Sequence, residues 1–410
     1  MKKLPAIERR TALKTIGAGL VGSPILTGSV KAGSGRGRGP KNVVTIEAGH
    51  EHPDEEGDDP EWWLDIDKQE IPGGWTTLKF DNQTDHLHFG YMVKVSESVL
   101  YDEEEGGAYE SPGLIHFGPK PGKPGQWGEK WRNAVNLPFQ EAWDPYYDRK
   151  TDVVGFFGGL EEHVADWFFA PGAAEPVGGP GFTGGGVTST TTQRLDEGVY
   201  ILECYVLDED GRFHSPYGMV EHIEVTDEEG KGSEPSADVT VSIDSEDGIV
   251  FGEDDLKPGR YTIGITFGDN TFYHNFLGHD VQLLRKDDVE DGVLEYWMDY
   301  LDPVPGDIDG EETLVYGERG ALVSTHDDPG PETFLGGVQD IYAGKGGGFV
   351  EDSYPVKAYF DVTLKPGEYA WVAEVPNPEK AQPVNPETLE PVGDTVDMLE
   401  TFEVTPPGQG

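Results

Sequence analysis

The stretch GVYILECYVLDEDGRFHSPYGMV (198–220) decides the reading of this chain. Gly198 opens an apolar run, Val199 to Leu202, of the kind that forms a buried strand. The strand delivers Cys204, nine residues follow, and His214 and Met219 lie five apart just before the next strand-like segment. A thiolate, an imidazole and a thioether brought together in this way are three parts of a trigonal His2Cys site with a weak axial Met, a donor set that selects copper. The second imidazole must come from elsewhere in the fold. Phe80-Asp-Asn82-Gln-Thr-Asp-His86-Leu-His88 supplies it at the start of another strand. His88 is the candidate, because His86, two residues earlier, is expected on the opposite face of a strand. Cys204 is the single cysteine, which excludes an internal disulfide.

Set side by side, Phe80, Asn82 and His88, then Gly198, Tyr200 and Cys204, then His214, Gly218 and Met219 resemble the pattern of the cupredoxin family, the plastocyanin-like blue copper proteins. The resemblance implies His88, Cys204, His214 and Met219 as ligands of one type 1 copper, and one-electron transfer as the chemistry. It also implies that the loop imidazole reaches the surface through an apolar patch, here Phe213, Pro216 and Tyr217, where a redox partner protein docks near His214. Glu203 and Tyr205 flank the thiol as weaker candidates for contact with the ligands. Two features depart from the small electron carriers. The Cys-to-His loop is longer, more like that of copper nitrite reductases, and a long insertion separates the His strand from the Cys strand.

An internal repeat sets the organisation. LDEGVYILECYV (195–206) matches LKPGEYAWVAEV (364–375), with Gly198 on Gly367, Tyr200 on Tyr369 and Cys204 on Ala373. MVEHIEV (219–225) matches MLETFEV (398–404). The fold class expected is all-β, two tandem Greek-key β-sandwich, cupredoxin-like domains over 42–227 and 239–405, joined by a polar linker at 228–238. Strands are expected at Val43–Glu47, Trp75–Phe80, Phe89–Val95, Val199–Val206 and Met219–Val225, then from Val239 onward. The first domain carries a partly helical insertion at about 96–188, with a helical piece at Glu161–Phe169. The second keeps His274, His279 and Met398 but lacks the copper Cys, so it is expected to hold no copper, its histidines being turn or core residues.

Composition and the first residues bear on where such a protein works. The formal net charge is −48, from 78 Asp+Glu against 30 Lys+Arg spread along the chain. Self-repulsion of that size destabilises a compact state unless salt screens it, which reads as adaptation to a salt-rich medium, or else as a binding surface for cations or a basic partner; nucleic acid is a poor partner, since phosphate needs Lys and Arg. Residues 1–32 read as a twin-arginine export signal around Arg9 and Arg10, followed by a flexible linker at 33–41, and no later segment reads as transmembrane. An extracellular or cell-surface location is therefore expected.

Other readings stay open at this point. One is a copper-free cell-surface binding protein that uses the insertion, with Trp127, Trp131, Trp143 and Trp167 as contacts or else as its core. The other is a nitrite-reductase-like oxidoreductase with a further copper, for which His116, His163 and His326 are available without a recognisable pattern. His50-Glu51-His52 with Asp54, Glu55 and Glu56 reads as an acidic surface loop, or else as a second metal site. Asp307-Ile-Asp309-Gly310-Glu311-Glu312 lacks the full ligand pattern of a calcium loop. No hydrolase, zincin, P-loop or dinucleotide motif is present, which favours an electron carrier or binding protein over an enzyme.

Overall fold

The computed structural model describes residues 42–51, 61–96, 127–164, 168, 173–208, 210–252, 255–269, 271, 273, 278–286, 303–316, 323–324, 334–341, 355–375, 378–385 and 391–406. The export signal, the 33–41 linker, His52, Asp54 to Glu56, His116, Trp167, His274 and His326 lie outside them.

In the first half the strands are β1 (Asn42–Glu51), β2 (Glu61–Ile66), β3 (Glu70–Asn82), β4 (Tyr91–Val95), β5 (Ala174–Pro176), β6 (Thr188–Leu195), β7 (Gly198–Glu203), β8 (Leu207–Asp208) and β9 (Val220–Glu229). β3 is the hub. Its C-terminal half lies antiparallel to β6 and parallel to β1, while its start pairs with β9 across a bulge at Pro72/Gly73. The bulge lets one strand serve both layers, since an extra residue bends and twists the strand locally. β9 continues the sheet through β7 to β4 and β5. The layers enclose a core built on Val44, Ile46, Leu78, Phe80, Phe89, Leu202 and Ile223, all buried.

The second half repeats this plan. Strand 367–372 meets strand 399–404 in the same register as β7 meets β9, Gly367↔Val404 answering Gly198↔Val225. Both glycines sit at φ 149, a conformation that glycine adopts freely. The Tyr200 hydroxyl donates to the Asp196 carbonyl at 2.6 Å and the Tyr369 hydroxyl to the Lys365 carbonyl at 2.9 Å. The N–H of Cys204 donates to the Met219 carbonyl, and that of Ala373 to the Met398 carbonyl, each at 3.1 Å. The repeat seen in the sequence is thus a repeat of hydrogen bonds. Strand 356–364 joins β6 through Tyr359↔Thr192 and Phe360↔Thr191, so one continuous 12-stranded sheet spans both halves beside a second sheet of five strands. The fold is all-β with a helical insertion.

Several elements differ from the sequence reading. β2 was not expected. Its pattern Trp-Trp-Leu-Asp-Ile is short and follows an acidic stretch, and it is held by antiparallel pairing with β1 from Ile46↔Ile66 to Glu51↔Glu61. His50 therefore lies in a strand and not in an acidic loop. The insertion's helices occupy Trp127–Trp131, a π-helical turn at Arg132–Asn136, Leu137–Tyr147 and Val153–His163. The last of these starts where Asp152 caps the Gly155 N–H at 2.9 Å and ends at an extended Val164, so the helix expected at Glu161–Phe169 is displaced toward the N-terminus. β9 runs on to Glu229 and takes two residues of the expected linker. Among the described residues, no helix is long and apolar enough to cross a membrane.

Candidate metal centre

Three buried side chains from three separate segments converge. Cys204 Sγ lies 3.7 Å from His88 Nδ1 and 3.8 Å from His214 Nδ1, and the two nitrogens are 3.2 Å apart. All three residues are fully buried. Bond lengths of about 2.0 Å to imidazole nitrogen and about 2.3 Å to thiolate sulfur, in a trigonal plane, need edges of about 3.5 Å and about 3.7 Å. The observed triangle meets that requirement within a few tenths of an ångström, so the donor set fits a single transition-metal ion.

Local sequence explains why each candidate ligand stands where it does. Cys204 follows β7, and its N–H binds the Met219 carbonyl; the Met219 N–H binds the His214 carbonyl, and the His214 N–H binds the Val206 carbonyl. This chain of backbone bonds closes the nine-residue loop on itself. Gly218 is required in it. It has φ 124, and a Cβ there would lie 2.0 Å from the Trp62 carbonyl oxygen. His88 is held by the turn after β3. Asn82, buried, donates through Nδ2 to the carbonyls of His86 (2.7 Å), Thr183 (2.8 Å) and Gly184 (3.1 Å), while its Oδ1 accepts from the Thr84 N–H and hydroxyl. His88 then exchanges both backbone bonds with Thr183. Met219 is buried in the same core and tied by its backbone to both Cys204 and His214.

The electrostatics suit a metal cation. Burial holds both imidazoles well below their usual range, and for His88 the facing His214, His86 and His50 add to the effect. Both rings are therefore neutral, with a lone pair to offer. Burial pushes the Cys204 thiol up to about 12, against which hydrogen bonds from the backbone of Phe89 and Val206 act. A protonated thiol beside two neutral imidazoles is the state a divalent cation displaces by driving off the proton.

The surroundings hold what the sequence did not disclose. The Trp62 ring stacks on His214 with centroids 3.9 Å apart and 22° between planes. His214 is thereby covered by β2; of the apolar exit patch expected around its imidazole, Phe213 and Pro216 are buried and Tyr217 is partly exposed. The insertion clamps the same loop from the other side. Gln140 accepts from the Phe213 N–H at 2.9 Å, Trp143 donates to the Gly211 carbonyl at 3.0 Å and Arg132 to the Pro216 carbonyl at 2.5 Å. Trp131 and Asn136 donate to the buried Glu203 carboxylate beside Cys204, at 2.9 and 2.6 Å. Trp127, Trp131 and Trp143 are buried core residues of the insertion, which removes them as a recognition surface. Tyr205 packs edge-on against Phe89 at 4.4 Å.

The other candidates fall elsewhere. His163 is exposed, pairs with Glu141 at 3.3 Å and is not one of the converging side chains. His86 lies in a turn and not on a strand; its ring turns toward His50 and Asp85. Tyr91 faces Glu203 in the first half as Gln282 faces Val372 in the second, so His279, three residues before Gln282, occupies the place of His88, three residues before Tyr91. There its ring nitrogens are engaged by the Tyr273 hydroxyl at 3.0 Å and Asp269 at 3.2 Å, and Ala373 stands in the place of the thiol.

No protein-family model matches the chain, and no curated protein matches it. Among solved structures, it is similar to auracyanin B at 15% identity, over 42% of this chain and 94% of that one, with a TM-score of 0.18. It is similar to a blue copper oxidase from Nitrosomonas europaea at 11% identity, over 88% and 85% of the two chains, with a TM-score of 0.19. A multicopper oxidase follows at 11% identity, over 88% of each chain, with a TM-score of 0.17. Likenesses at these TM-scores carry no weight here, and the functional reading rests on the residues.

Proposed function

We propose that the chain is a cupredoxin-like blue copper protein, with His88, Cys204 and His214 as the equatorial ligands, Met219 as the weak axial one, and one-electron transfer as its role. The observation that carries this is the buried triangle of one sulfur and two nitrogens with edges of 3.2, 3.7 and 3.8 Å. Copper held by such a set shuttles one electron with little change in its ligands. The protein's part is to hold them still. Backbone bonds fix the Cys204–His214–Met219 loop, Asn82 fixes the His88 turn, and the insertion excludes water from the thiol side. Protein donors fill every equatorial position of the buried triangle, which favours electron transfer over substrate turnover.

Because Trp62 covers His214, an electron would leave through the indole, and a redox partner would dock over β2 and not on the imidazole itself. Export by the twin-arginine route and work in a salt-rich exterior complete the proposal; residues 1–32 and the net charge of −48 support it. The test is a Cu(II) titration of the chain in molar salt, read by visible absorption, beside Cys204→Ala. An intense thiolate-to-copper band that saturates at one copper per chain and is absent in the variant is expected. A folded wild-type protein with no such band refutes the copper reading.

A further inference from the structure

Trp62 separates the buried triangle from a second group of metal-ligating side chains. β1 lies parallel to β3 with Ala48 opposite Asn82, so His50, two residues further on, projects beside the turn that carries Asp85 and His86. His50 also lies directly across from Trp62 on β2. His50 Nε2 stands 3.9 Å and His86 Nε2 3.3 Å from the same Asp85 oxygen, Oδ1, and the three ligand atoms all lie within 4.8 Å of one another. The two imidazoles are nearly buried, with side-chain exposures of 10% and 4%, whereas that of Asp85 is 56%. The Trp62 ring lies 4.9 Å from His50, 5.3 Å from His86 and 3.9 Å from His214.

We propose that His50, Asp85 and His86 form a second, solvent-accessible site for a divalent transition-metal ion, on the far side of Trp62 from the Cys204 triangle. A four-coordinate ion with bonds of about 2.1 Å needs ligand edges of about 3.4 Å. The His86–Asp85 edge of 3.3 Å meets this, the His50–Asp85 edge of 3.9 Å exceeds it by a few tenths of an ångström, and all three ligand atoms lie within 4.8 Å of one another. Two imidazoles with one carboxylate suit Cu(II) or Zn(II) and do not suit Ca(II) or Mg(II). The exposed flank of Asp85 leaves the fourth position to water or to an incoming ligand. Among the described residues, Asp85 is the carboxylate that two nearly buried imidazoles approach at one oxygen, which distinguishes this site from the other surface acids.

The site does not depend on the metal identity of the buried triangle, and one experiment separates the two. The full chain is titrated with Cu(II) in molar salt and followed by visible absorption, by electron paramagnetic resonance and by bound copper per chain. After the visible band saturates, a second equivalent is expected to bind with nitrogen hyperfine coupling and without changing the band. Zn(II), the weaker-binding ion, is expected to compete for it only in large excess. His50→Ala and Asp85→Asn are each expected to weaken it by at least about tenfold while the band persists. Asp85→Asn, at an exposed side chain, guards against a folding defect in His50→Ala. Binding that stops at one copper per chain, or a second equivalent without nitrogen coupling or indifferent to both substitutions, overturns the site. Absence of the band alongside a nitrogen-coupled signal that His50→Ala abolishes would refute the blue-copper reading and leave this one standing.

Discussion

Trp62→Ala tests whether the β2 indole seals the metal centre. The substitution removes a buried ring that stacks on His214 at 3.9 Å and contacts His88 at 5.4 Å. Truncating a buried aromatic to Ala costs about 3–5 kcal/mol through lost transfer energy and the cavity left behind. Trp62 Nε1 is buried with no hydrogen-bond partner among the described residues, which leaves about 1 kcal/mol or more of desolvation that the variant escapes. The net loss expected is therefore about 3 kcal/mol. That lies within the roughly 5–15 kcal/mol of a typical domain, so the variant folds but unfolds at lower denaturant. Urea unfolding in molar salt, followed by circular dichroism, reads this shift. The functional consequence is separate. With the cover gone, a chelator should strip copper at least about tenfold faster, the scale on which supporting partners tune a metal site. Trp62→Phe keeps a ring over His214 and should restore most of the protection. A variant with unchanged unfolding midpoint and unchanged copper release would refute the reasoning, because the ring would then be neither packed on nor shielding the imidazole.

Asn82→Asp replaces three buried donated hydrogen bonds with carboxylate-to-carbonyl repulsion. It is expected to cost about 3 kcal/mol or more in a urea titration and to lose the copper band with His88. Gly218→Ala places a Cβ 2.0 Å from the Trp62 carbonyl at a φ of 124; a destabilisation of about 1–3 kcal/mol and a shifted visible spectrum are expected. Asp280 gives a pH signature. Burial raises its carboxyl from 3.8 to about 7, against hydrogen bonds from Gln282 and the Glu374 N–H. A carboxyl raised on folding stabilises the native state below its unfolded pKa, and that contribution fades as pH rises toward about 7, by about 4 kcal/mol in all. The slope of unfolding free energy over that interval should therefore be negative from this group, and Asp280→Asn should flatten it; an unchanged slope would count against the buried neutral acid.

What the sequence determined on its own is the convergence of His88, Cys204 and His214, and the repeat. Phe80-x-Asn82 before His88, Gly198-x-Tyr200 before Cys204 and Gly218-Met219 after His214 are legible because each performs a local task at short range. Asn82 ties a turn, Tyr200 bonds back to Asp196, and Gly218 clears the Trp62 carbonyl. Matching residues at 364–375 and 398–404 foretold matching hydrogen bonds for the same reason. Only the tertiary structure decided what surrounds the centre. Trp62 reaches His214 because β2 pairs with β1 and β1 lies parallel to β3, a register set by long-range strand pairing that leaves no periodic trace in the chain. The same pairing brings His50 to Asp85 and His86 across thirty-five residues of sequence. Trp131 and Trp143 of the insertion, open to reading as either surface or core, became core because Glu203 and Gly211 accept their indole N–H groups deep in the fold. Local chemistry names a ligand from its neighbours in sequence, but burial and access depend on which distant strand or helix lies on top, and packing alone settles that.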